Sequence, residues 1–172
     1  TDVPGEYTSP TQPFPTHPPP LHPSKLEPEE AFGFTFWDRG RCRDTIAALR
    51  NEGIFTPPSL EGSIAYPGTS GGANWGSAAW DPERKLLLLQ QNHIAQKHQL
   101  VPRQEAEDLR RPKTRGSSLL RMNGTPYVAV QEVLVSPFGV PCVEPPWGTL
   151  MAIDLAAGGK RWEVPLGDTR RM

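Results

Sequence analysis

The run Ala152-Ile-Asp-Leu-Ala-Ala-Gly-Gly-Lys-Arg-Trp162 leaves the chain little freedom of local fold. Spelled Ala152-x-Asp154-x-x-x-Gly158-x-x-x-Trp162, it reads as a short strand, a tight turn after Asp154 and Gly158, and a return strand. The return strand ends in an aromatic large enough to dock on a neighbouring sheet. A loop rich in Pro and Gly, Ser136 to Gly148, leads into it.

Such a hairpin looks like one from a propeller blade, and composition agrees with an all-β chain rich in loops. Only 36% of the 172 residues are hydrophobic, while 21 are Pro and 16 are Gly, so the core is thin for the length. Disorder has a similar Pro and Gly signature, but five Trp residues argue against it. With 18 basic and 19 acidic side chains there is no global field to favour nucleic acid. The charged stretch Arg103 to Arg115 mixes both signs, as a solvated loop or short surface helix does. The longest strongly apolar run, Leu86 to Leu89, is far too short to span a bilayer, and no signal peptide is present.

Residues 1–30 form a proline-rich arm that includes Pro18-Pro19-Pro20. Each Pro removes a donor and fixes φ, so the arm is expected to run extended over a surface, with His17 and His22 as exposed loop histidines. Residues 31–172 read as one β domain. Its single helix is expected from Asp38 to Asn51, with Asp38 as cap, Cys42, Ile46 and Leu49 on the apolar face, and Gly53 as the stop. Arg39, Arg41, Arg43 and Arg50 lie mostly off that face. Strands are expected at 62–66, 75–80, 85–92, 126–135, 148–154 and 160–165, with a long excursion between Ala95 and Tyr127. Leu86 to Leu89, apolar on both faces, suits a buried inner strand.

The loop from Gly68 to Gly76 lacks the Lys-Ser/Thr of a phosphate cradle and leads into a strand, so it offers an anion no helix N-terminus. Its glycines instead suit a backbone passing close to something flat or crowded. No Gly-x-Ser-x-Gly elbow supports a serine hydrolase. Asp81, Asp154 and Asp168 occupy turns, where a carboxylate caps backbone donors. His93 and His98 have no partnered carboxylate in the sequence to make them general bases.

The hairpin motif resembles that of the membrane-bound quinoprotein dehydrogenases that use pyrroloquinoline quinone, specifically the glucose/quinate/shikimate group. Tyr7 to Phe14, Glu52 to Ser59, and Tyr66-Pro67-Gly68-Thr69 through Asn74 and Trp75 to Asp81-Pro82 fit the same group. In the motif, Ala157 stands where Thr is usual. The resemblance implies an eight-bladed periplasmic propeller behind a membrane anchor, of which this chain would be a fragment of about one and a half blades, inactive by itself. It implies a quinone cofactor with calcium or magnesium. It also implies a sugar or cyclic polyol substrate (glucose, or quinate/shikimate) and ubiquinone as electron acceptor on the periplasmic side of the bacterial inner membrane. A carboxylate would take the hydroxyl proton while hydride moves to the quinone, but that carboxylate falls upstream of the matched residues. No catalytic residue or metal ligand is therefore assigned here.

In this group the quinone-contacting Asn follows the Asp-Pro turn by nine residues, and in related alcohol-oxidising enzymes by eleven. These positions are Gln90 and Asn92, two apart on one strand and so on one face. A planar orthoquinone with carboxylates offers acceptors, and an amide donates to them without adding charge. Asn92 is the first choice, and Gln90, Trp75 and Asn74 complete the candidate lining. Cys42 and Cys142 are either buried free thiols or, in an oxidising periplasm, a disulfide closing a long loop. The rival to the enzyme is a non-enzymatic, loop-rich binding module that uses the arm or exposed aromatic edges.

Overall fold

The computed structural model describes residues 3–5, 7, 9–14, 16–73, 78–106 and 117–167. Among these, the chain builds one α-helix and two four-stranded antiparallel sheets. The helix, α1, runs Phe36–Ala47, and a single 3-10 turn spans Pro28–Glu30. The strands are β1 (Ser63–Ala65), β2 (Ala78–Asp81), β3 (Leu86–Asn92), β4 (Gln96–Pro102), β5 (Ser118–Arg121), β6 (Tyr127–Val133), β7 (Gly148–Asp154) and β8 (Gly159–Pro165). One sheet has the order β2-β3-β7-β8; the other, β1-β4-β6-β5, is built largely from the connection between β3 and β7. Neither sheet closes on itself, as expected of part of a propeller.

The β7–β8 hairpin forms as its sequence requires. Asp154 Oδ1 accepts the amides of Ala156 and Ala157 at 2.9 and 3.0 Å, and Gly158 takes φ 69°, a left-handed conformation that glycine adopts without strain. Trp162 stands opposite Ala152 in the register, and Ala152 is fully buried. Asp81 organises the β2–β3 turn likewise, accepting from the amides of Glu83 and Arg84.

Four expectations need correction. The helix starts earlier than Asp38, because Thr35 is its cap and Asp38 the third helical residue of a capping box. The buried Asp38 carboxylate accepts from the amides of Thr35 and Phe34, and Thr35 Oγ1 accepts from the Asp38 amide. The helix also ends at Ala47, not Asn51, because the backbone of Arg50 is recruited by Gly62 and Ile64 beside β1. The supposed excursion from Ala95 to Tyr127 contains β4 and β5, both paired to β6. Arg103 is no solvated charge either: its guanidinium donates to the carbonyls of Met122, Thr125 and Tyr127, binding the end of β4 to the β5–β6 turn.

The core lies in three patches, and the arm contributes one side chain to each. Leu26 joins Cys42, Ile46, Ile64, Leu134 and Val143; Val3 joins Leu100 and Tyr127; Leu21 packs on Leu89, Met151 and Ile153. Hydrogen bonds from Tyr127 Oη to the Pro4 carbonyl and from Asn51 Nδ2 to the Leu26 carbonyl fix its course. A disulfide joins Cys42 of α1 to Cys142, with Cα atoms 5.3 Å apart, inside the first patch.

Candidate functional site

Asn92 sits where β3 leaves its sheet, and three interactions fix it. Its amide N–H donates to the Gly72 carbonyl at 3.2 Å, its Oδ1 accepts from the Ile94 amide at 3.0 Å, and its Nδ2 reaches Ser70 Oγ at 3.4 Å. The side-chain acceptor is therefore committed, while the amide donor makes only a long contact. The glycine loop is fastened beside it: Gly68 N–H donates to the Ile94 carbonyl at 2.8 Å, and Gly71 N–H to the Gly68 carbonyl. On its far side Gln96 Oε1 accepts from both Thr69 N and Thr69 Oγ1, at 2.9 and 2.8 Å. A Cβ on Gly68 would stand 2.7 Å from Gln96 Cγ, so the close passage expected of this loop is real, and the crowding group is the Gln96 side chain.

Gln90 shares the Asn92 face by strand parity and is exposed. Asn74 and Trp75 lie outside the described residues. Gln96, Ser70 and Thr69 were not singled out from the sequence.

On the opposite face of the same sheet lies a cleft of about 650 Å³ lined by the arm, Tyr66, His93 just after β3, the loop before β7, and β7 and β8. His22 does not behave as an exposed loop histidine. Its ring stacks on His93 with centroids 4.9 Å apart and planes 19° apart, and it meets the Tyr66 ring edge-on at 4.5 Å. Its Nδ1 lies 2.7 Å from the Pro23 carbonyl, and its Nε2 is buried with no partner. His93 Nε2 lies 3.1 Å from Thr149 Oγ1 and 4.0 Å from the Glu163 carboxylate, so a carboxylate does stand near it. Lys160 Nζ binds the same carboxylate at 2.5 Å.

Electrostatics follow from burial. Burial lowers the pKa of His22; it also lowers that of His93, helped by the neighbouring His22 ring; and it lowers that of His98. The Tyr66 hydroxyl is pushed up to about 12 by burial. Burial also pushes the Glu163 carboxyl up, but hydrogen bonds from Lys160 and Thr149 outweigh it and hold the group below its usual range.

Residues 1–172 match the family model of the glucose/ethanol/alcohol dehydrogenase β-propeller domain that uses pyrroloquinoline quinone. The chain belongs to this family. Over 172 aligned residues it is 34% identical to the quinate/shikimate dehydrogenase (quinone) of Acinetobacter baylyi, covering 96% of this chain and 21% of that protein. With the quinoprotein glucose dehydrogenase of Escherichia coli it shares 34% identity, covering 95% of this chain and 21% of that protein. The glycerol dehydrogenase large subunit of Gluconobacter oxydans is 35% identical, with 98% of this chain and 24% of that protein covered. This quinoprotein chain thus spans about a fifth of the length of the relatives it matches.

In the quinoprotein setting, sheet β2-β3-β7-β8 has the strand order of a blade meander, and Asn92 with its glycine loop stands at one end of it. Among the described residues no group of three or more His, Cys, Asp or Glu is arranged to hold a metal ion. None of their helices is long and apolar enough to cross a membrane.

Proposed function

We propose that this chain supplies part of the cofactor wall of a quinoprotein dehydrogenase. The enzyme oxidises a sugar or cyclic polyol, of the glucose or quinate/shikimate kind, and passes the electrons to ubiquinone. The observation that carries the reading is Asn92. Its carbonyl is locked onto the Ile94 amide, so its NH₂ has a fixed direction and spare donor capacity at a sheet end backed by a glycine loop. That donor set suits a planar, acceptor-rich orthoquinone. Gln90, on the same face, is the second amide, and Asn74 and Trp75 complete the proposed lining.

The quinone, when bound, supplies the two-electron acceptor, with calcium or magnesium held by residues not assigned in this chain. The chain's own part is orientation. Asn92 donates to a cofactor oxygen without adding charge, and the 68–72 loop, held between Ile94 and Gln96, fixes the donor's backbone. The remaining blades are the partners of the uncovered sheet face. A periplasmic location beside the inner membrane fits the Cys42–Cys142 disulfide, which an oxidising compartment maintains.

Dye-coupled assays of the full-length protein with glucose, quinate and shikimate test the reading. Turnover of at least one substrate, dependent on added quinone and divalent metal, is expected. Turnover without quinone, or none with any of the three substrates, contradicts it.

A further inference from the structure

The histidine pair in the cleft is not needed to orient Asn92, whose side chain works on the other face, yet it is built with some precision. His22 belongs to the arm and His93 immediately follows β3, so their stack is a contact between the arm and the end of the blade sheet. A carbonyl only accepts, so the 2.7 Å contact to the Pro23 carbonyl places the His22 proton on Nδ1. Nε2 is then bare and buried and makes no hydrogen bond, although the Asn92 backbone offers a second proton some support.

A second proton on His22 would have to be accommodated in this buried position beside the His93 ring, and the cost of burial exceeds the support from the Pro23 and Asn92 backbone. The charged and titratable groups facing the pair offer little compensation. Glu163 of β8 already pairs with Lys160, Lys160 is itself a cation, and Tyr66 stays neutral. Glu144 lines the same cleft.

We propose that His22 and His93 form a clasp that holds the proline-rich arm on the blade sheet while both rings are neutral and releases it when they take up protons. The lowered affinity of both rings for protons, caused first by burial, sets the sign. Closure is complete above the ordinary histidine value of 6.5 and weakens as pH falls from there through the lowered values. Between those limits each histidine weakens closure by up to about tenfold per pH unit. The clasp stands independently of the quinone.

Lys25 is the only Lys or Arg before Arg39, and the next residue, Leu26, is 1% exposed. Cleavage of the Lys25–Leu26 bond by trypsin therefore reports lifting of the arm. Each rate is divided by that of an unstructured peptide with the same bond at the same pH. In the full-length protein the normalised rate should rise roughly threefold to tenfold between about pH 7.5 and about pH 5.5. His22→Phe, which keeps a ring in the stack, and His22→Gln, which keeps an uncharged polar group, should both flatten this dependence. A flat wild-type profile overturns the clasp, and so does a rise of equal size in wild type and both variants.

Discussion

The two faces of the blade sheet are made from the same strands and differ in almost everything else. On one, Leu89, Met151 and Ile153 are buried under Leu21 of the arm, and His22 and His93 close the end. On the other, Leu88 and Leu150 are half-covered, Gln90 is exposed, and Trp162 and Val164 remain 38% and 46% exposed. Leu86 to Leu89 was expected to be buried on both sides, yet only Leu89 is fully buried among the described residues. Apolar side chains on an uncovered face signal a surface made for further packing. The covered face is therefore where the chain stabilises itself, and the open face is the one proposed above to meet other blades and the cofactor.

The largest test of this contrast is a pair of neighbours on β7. Met151→Ala, at a fully buried site, should cost about 2–5 kcal/mol of unfolding free energy. Leu150→Ala, one residue away, should cost less than about 1 kcal/mol in the 172-residue chain and markedly more in the full-length protein, where other blades are expected on this face. Urea titrations of all four proteins decide it, and equal costs in the short chain would erase the distinction between the faces. Next in size is Trp162→Ala, which should cost about 1–2 kcal/mol by thinning the cover over Ala152.

The smallest effect belongs to the turns, which serve both faces equally. Asp154 has a pKa held below its ordinary value by the amides of Ala157 and Ala156, and Asp81 by the Arg84 amide and side chain. Their contribution is complete above the unfolded value of 3.8 and is lost as pH falls through the lowered ones. Asp154→Asn should therefore lose stability at neutral pH, converge on wild type in acid, and so flatten part of the acid limb of a stability-pH curve. A variant that loses as much stability in acid as at neutral pH would show that the turn works by another means.

The blade sheet was legible in the sequence because its signals are local: Asp-Pro at 81–82, Asp154 with Gly158, and a Trp at the end of the return strand. β4 and β5 were missed because they carry no such turn chemistry. Gln96-Lys-His-Gln is polar, and it becomes a strand only because β1 and β6 lie on either side of it. The same holds for the site. Asn92 was proposed from the family's spacing after Asp81, whereas Gln96 and Ser70 make their contacts through a loop that returns across more than twenty residues. His22 looked like a residue of an extended arm, because nothing near it in sequence announces His93 as its partner.

The two faces meet at consecutive residues, Asn92 and His93, and there the account is most exposed to refutation. Quinone titration of the full-length apo protein near pH 7.5, where both histidines are neutral, should give a dissociation constant about threefold to tenfold higher for Asn92→Ala, the loss of one net hydrogen bond. His93→Ala should change it less, since its ring faces Thr149 and the arm. If His93→Ala proves the more damaging and Asn92→Ala is silent, the cofactor does not lie on the open face and the division of labour drawn between the faces is wrong.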